Sequence, residues 1–247
     1  MSVQIQSSYN PIICNGGTTT VRITASGGTS PYTGTGNFSV TAGNYTYTVT
    51  DSRGCSAAIS LIISQPPALV GTASFAPISC YGGSTTLTVS ATGGTPPYTG
   101  TGTYSRTSGA YSYIVRDANS CATTVSGTIT QPAVLAASNA VAAVIACNGG
   151  TTTVTVSATG GTTPYSGTGS YTLGAGAYSY TVTDANGCTA ATSGTLAQPS
   201  AVVVNTSFNP IACNGGTTSV NVTASGGLSP YTGTGSNTGV TAGTYTY

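Results

Sequence analysis

The side chains in this sequence that could do chemistry are few. There are seven Cys, three Asp, four Arg and sixteen Tyr, and no His, Glu, Lys or Trp. Without His or Glu there is no ordinary general-base pair, no Ser-His-Asp triad and no imidazole metal ligand. Asp51, Asp117 and Asp184 are spread along the chain and cannot build an oxygen-rich calcium cage. The net charge of +1 supplies no electrostatic footprint for nucleic acid or an anionic membrane. The expectation is a non-enzyme with no catalytic residue, no metal and no cofactor. The chemistry left is that of thiols, which can cross-link.

What positions the thiols is an internal period. Cys14, Cys80, Cys147 and Cys213 recur at intervals of 66 or 67 residues, as do Pro31-Tyr32, Pro97-Tyr98, Pro164-Tyr165 and Pro230-Tyr231. Gln65-Pro66, Gln131-Pro132 and Gln198-Pro199 close the first three periods. The predicted repeats are 1–66, 67–132, 133–199 and an incomplete 200–247. The sequence therefore reads as a stretch of a longer repeat protein. Its start has neither the basic residues nor the apolar core of a signal peptide. The longest apolar run, Ala140 to Cys147, is too short to span a membrane, so no transmembrane segment is expected.

Within a period the pattern is that of strands. Thr20-Val21-Arg22-Ile23-Thr24-Ala25 and its relatives alternate polar and apolar residues, which buries one face of a strand. Tyr45-Thr46-Tyr47-Thr48-Val49 is a second strand, and Ile59, Leu61 and Ile63 mark a third. A fourth precedes the first Cys, near Tyr9, Phe75 or Phe208. Gly-Gly and Pro-Tyr punctuate the connections, and no helical period is present. Many β-branched and aromatic residues argue against disorder. The predicted fold is all-β, a tandem array of small antiparallel β-sandwiches, immunoglobulin-like in architecture.

Cys14 and Cys55, Cys80 and Cys121, and Cys147 and Cys188 are each 41 residues apart. The spacing predicts one disulfide inside each repeat, with Cys213 left unpaired by truncation. Such bridges imply an oxidising, extracellular setting. The Cys-Asn-Gly-Gly segments read as tight turns. So do the segments opened by Asp51, Asp117 and Asp184, where the carboxylate can accept backbone N–H bonds. The Tyr pairs 45/47, 111/113 and 178/180 lie on one strand face, as core packing or as an aromatic platform for sugars.

The order Cys147-Asn148-Gly149-Gly150, alternating strand, Gly160 to Tyr165, Ala175 to Cys188 and Gln198-Pro199 resembles the SprB repeat, and the resemblance extends over every period. Where such repeats often carry an aromatic-rich stretch after Pro-Tyr, this chain has Gly-Thr-Gly. The resemblance implies a very large cell-surface protein of gliding bacteria, exported by type IX secretion and forming filaments. The expected function is a structural segment of an extracellular filament or adhesin stalk at the cell surface, linked to attachment or gliding. A glycan- or surface-binding module is the alternative. Expected partners are other copies in filaments or bundles, or a surface glycan. Few charges guard the strand edges against such pairing. The unfinished fourth repeat could borrow a strand such as Ser2 to Ser8 from a neighbour.

Overall fold

The computed structural model describes residues 2–247, and every regular element in them is a strand. The first period contains β1 (Gln4–Ser8), β2 (Thr19–Ser26), β3 (Gly36–Val40), β4 (Gly43–Thr50) and β5 (Ser56–Ile63). The second contains β6 (Val70–Ser74), β7 (Ser84–Thr92), β8 (Gly102–Thr107), β9 (Gly109–Arg116) and β10 (Ala122–Ile129). The third contains β11 (Ala136–Val141), β12 (Thr152–Thr159), β13 (Gly169–Leu173), β14 (Gly176–Thr183) and β15 (Thr189–Leu196). The fourth contributes β16 (Val203–Phe208), β17 (Thr218–Ser225) and β18 (Gly235–Val240). The chain falls into two compact units, one ending at Ile78 but including Gly82–Gln131, the other formed by Ser79–Tyr81 and Pro132–Tyr247.

Each of the first three periods makes two antiparallel sheets. One is three-stranded with the alternating strand in the centre, β1-β2-β3, β6-β7-β8 or β11-β12-β13. The other is a hairpin, β4-β5, β9-β10 or β14-β15. The alternation of β2 is the cause of this arrangement. Val21 and Ile23 turn inward and are fully buried, while Thr20 and Arg22 face solvent. Val49 and Ile63 of the hairpin join Val21 and Ile23 in one apolar cluster, so both sheets of the period share a core. Leu87, Val89, Val115 and Val125 do the same in the second period, and Val154, Val156, Val182 and Leu196 in the third. Gln4–Ser8 is hydrogen-bonded to β2 of its own period. It is thus already committed to a sheet and is not a spare strand for a neighbour.

One strand per period escapes the sequence pattern. It follows the Gly-Thr-Gly loop and pairs with the central strand, Val21 opposite Phe38 in the first period. The loop itself requires glycine, because a Cβ on Gly34 would stand 2.1 Å from the carbonyl oxygen of Thr48. The same clash would arise at Gly100 and Gly167.

Leu87 is fully buried at the centre of the second period's core. Leu87→Ala is expected to destabilise the protein by about 2–5 kcal/mol, the range for buried Leu truncations. Denaturant unfolding of the two proteins measures the difference, and a loss below about 1 kcal/mol would mean that this core is not packed as described.

Candidate functional site: the turns that carry the cysteines

The first cysteine of each period lies in a turn between the first two strands. Gly17 donates its N–H to the Cys14 carbonyl at 3.0 Å, and Gly16 takes a positive φ of 77°. The Gln-Pro pair at the end of the same period holds this turn. Gln65 Oε1 accepts the N–H of Gly16 at 2.8 Å, and Asn15 Nδ2 donates to the Pro66 carbonyl at 3.0 Å. Gln131 holds Gly82 and Gln198 holds Gly149 in the same way, each at 2.8 Å. The sequence had shown Gln-Pro only as a connection.

The second cysteine lies in the hairpin turn that each Asp opens. Asp117 Oδ1 accepts the N–H groups of Asn119 and Cys121, both at 2.9 Å. Its Oδ2 accepts the N–H of Thr95 at 2.9 Å. Asp51 bonds Arg53, Cys55 and Thr29 in the same pattern, and Asp184 bonds Asn186, Cys188 and Thr162. All three carboxylates are buried, and each clamps the turn to the Gly-Gly loop of its own period. The loop has no room for a side chain there, since a Cβ on Gly28, Gly94 or Gly161 would meet the carboxylate at 2.6–2.7 Å. The Thr29 N–H, with those of Cys55 and Arg53 and the Arg53 charge, holds Asp51 below the ordinary carboxylate pKa against the effect of burial. For Asp184 burial pushes the pKa up, but the N–H groups of Thr162, Cys188, Asn186 and Gly187 outweigh it, and the net shift is downward.

The Pro-Tyr motif closes the same loop from the other side. Tyr32, Tyr98 and Tyr165 donate their hydroxyls to the carbonyls of Gly27, Gly93 and Gly160 at 2.5–2.6 Å. The Tyr pairs lie elsewhere. Tyr45 and Tyr47 pack against the apolar cluster of their period, and Phe38 packs at a tilt on Tyr47 with ring centroids 4.8 Å apart. Tyr171 stacks on Tyr180 at 4.1 Å. These rings fill the core edge instead of forming an outward platform. The aromatic at 38, 104 and 171 could have been found by its recurrence, although the fourth period has Asn237 there.

The cysteines pair differently from the expectation. Cys14 is bonded to Cys121 and Cys80 to Cys188, with Cα atoms 5.7 and 5.8 Å apart. The bridges expected for Cys14–Cys55, Cys80–Cys121 and Cys147–Cys188 are absent, and Cys55, Cys147 and Cys213 are all free and exposed. Topology explains the difference. The Cys14 turn leads into the start of β2, whereas the Cys55 turn is bonded to the loop after the end of β2. The eight residues of β2 span about 26 Å, far beyond the roughly 7 Å limit between bridged Cα atoms. Cys14 and Cys80 each reach the second cysteine of the following period instead. In the first unit the bridge closes a ring of contacts. Asn119 Nδ2 donates to the Ile13 carbonyl at 3.2 Å and to Thr95 Oγ1 at 3.1 Å. Gly94 donates to the Pro67 carbonyl, next to the Gln65-Pro66 pair that holds the Cys14 turn. In the second unit Asn186 donates to the Ser79 carbonyl at 3.0 Å beside the Cys80–Cys188 bond.

No protein-family model matches this chain, and no curated protein does. The established features are therefore an all-β fold of small antiparallel sheets and two disulfides, which fit an oxidising compartment outside the cytoplasm. No helix among the described residues is long and apolar enough to cross a membrane.

A carboxylate whose pKa is lowered on folding adds stability above its unfolded pKa, and that stability is lost as pH falls through the folded value. Asp51 and Asp184 are of this kind, with an ordinary value of 3.8. The melting temperature should therefore drop as pH falls below about 4. The double variant Asp51→Asn, Asp184→Asn should melt lower at neutral pH and lose less on acidification. Circular dichroism melts at the two pH values measure this. A variant that tracks the parent at both would show that these carboxylates do not clamp the turns.

Proposed function

We propose that this chain is a non-catalytic, load-bearing segment of an extracellular cell-surface filament or adhesin stalk. Its units on this reading are immunoglobulin-like sandwich repeats of the SprB type, which assemble with other copies into filaments. The observation that carries the reading is the register of the disulfides, which join one period to the next instead of closing each on itself. In the chain-entropy model, closing loops this long stabilises by about 5 kcal/mol each. For transmitting force the covalent path matters more. The two bridged loops overlap, so a pull applied outside Cys14 and Cys188 runs through both bridges and the backbone from Cys80 to Cys121. The remaining backbone between the anchors is shielded. A module built only to bind a ligand has no need of such a ladder. The tyrosine pairs 45/47, 111/113 and 178/180, the rings that could hold a sugar, are packed against the cores.

Single-molecule pulling from the two ends tests the mechanical role. Oxidised, the stretch between Cys14 and Cys188 should lengthen on unfolding to no more than about 150 Å, at about 3.6 Å per residue. With reductant the same stretch should reach about 600 Å on the same scale. Equal extension in both conditions would contradict the reading, as would tight binding to a glycan array by a monodisperse chain.

A further inference from the structure

Each of the first three periods sets a ring from the last strand of its three-stranded sheet against the second tyrosine of its hairpin pair. In the third period Tyr171 of β13 and Tyr180 of β14 have ring centroids 4.1 Å apart, with planes 23° from parallel. In the second, Tyr104 of β8 and Tyr113 of β9 are 4.2 Å apart, with planes at 32°. In the first, the ring against Tyr47 is Phe38, at 4.8 Å and 42°. Phenol thus faces phenol in two periods, and phenol faces plain benzene ring in the other. Both phenol pairs lie within one compact unit each.

Packing asks only for a ring on a ring, and Phe38 supplies that against the first core. A phenol adds redox chemistry, because it gives up an electron and a proton where Phe cannot. The rings of the two phenol pairs are also held in place. Tyr171 donates its hydroxyl to the Gly167 carbonyl at 3.2 Å, and Tyr104 donates to the Gly100 carbonyl at 3.4 Å. These carbonyls open the Gly-Thr-Gly loops, which have no other partner role in the fold described above. All four rings are half-buried, not enclosed. The tyrosines two apart on one strand are more distant: centroids of pairs 45/47, 111/113 and 178/180 are 6.2–6.5 Å apart. Tyr178 is further tied by its hydroxyl to Asn139 Oδ1 at 2.8 Å.

We propose that Tyr171–Tyr180 and Tyr104–Tyr113 are sites of oxidative cross-linking, each closing to a dityrosine that staples the three-stranded sheet of its period to the hairpin. The co-reactant is a peroxide used through one-electron steps. Each phenol loses one electron and its hydroxyl proton, giving a pair of phenoxyl radicals. A Cε of one ring bonds to a Cε of the other. The hydrogen on each of those carbons then leaves, and the hydroxyl is restored as the ring regains aromaticity. In sum one C–C bond forms, two C–H bonds break, and two electrons and two protons reduce one hydrogen peroxide to two waters. Rings already in contact couple without the entropic cost of meeting. The disulfides tie one period to the next, and these links tie sheet to sheet inside a period. The ring geometry supports them independently of the filament reading.

The test uses the intact, disulfide-bonded chain in dilute solution with a haem peroxidase and hydrogen peroxide. Dityrosine fluorescence, intact mass and peptide mapping read the products. The expected result is a monomeric chain lighter by two hydrogens per link, with Tyr171 joined to Tyr180 and Tyr104 to Tyr113. These links should exceed any other pair within the chain by about tenfold. The double variant Tyr104→Phe, Tyr171→Phe keeps a ring at both places, as Phe38 does in the first period, and should lose intrachain dityrosine about tenfold. Phe38→Tyr should gain a third link, to Tyr47. Mapping of the parent chain decides the proposal even if a variant fails to fold. Links confined to the exposed Tyr9 and Tyr81, between chains, overturn it. So does an undiminished yield from the double variant, or coupling within 111/113 and 178/180 in place of the facing pairs.

Discussion

A disulfide needs its two Cα atoms within about 7 Å, and a strand of eight residues is about 26 Å long. In this protein those two lengths meet head-on. The central strand of each period begins beside one cysteine turn and ends beside the loop that holds the other. No period can close its own bridge while that strand is extended. The thiols must find partners along the chain, and the architecture of Cys14–Cys121 and Cys80–Cys188 follows.

The supporting residues make sense as devices that keep the two kinds of turn in place. The Asp carboxylate is the more demanding, since it is buried and charged. It is tolerated because three backbone N–H groups point at it, two from its own turn and one from the Gly-Gly loop. The loop in turn needs glycine next to the carboxylate and a tyrosine hydroxyl on its carbonyl. On the other side, Gln65 and Pro66 tie the Cys14 turn to the point where the chain leaves its period. Both turns are thus held by hydrogen bonds within their own period as well as by the bridge.

Much of the fold was legible in the sequence. Alternation at Val21 and Ile23, repeated at Leu87 and Val89, dictated strands with one buried face, and those side chains are buried. The cysteine pairing was not legible. A bridge spanning 41 residues and one spanning 107 recur with the same period, so spacing cannot choose between them. The choice depends on which ends of the period the turns occupy, and that is set by hydrogen bonding between distant segments such as Thr33 and Thr50. The third strand, Gly36–Val40, was hidden by the glycine-rich loop before it and by its own brevity. The Gln side chains recurred visibly, but their partners lie 49 residues away and no local pattern points to them.

The central claim is that the cysteines bond from one period to the next. Peptide mapping of the non-reduced protein, with free thiols alkylated beforehand, tests it most directly. The account predicts Cys14 linked to Cys121, Cys80 linked to Cys188, and alkyl groups on Cys55, Cys147 and Cys213. Cys14 linked to Cys55, or Cys147 linked to Cys188, would contradict it.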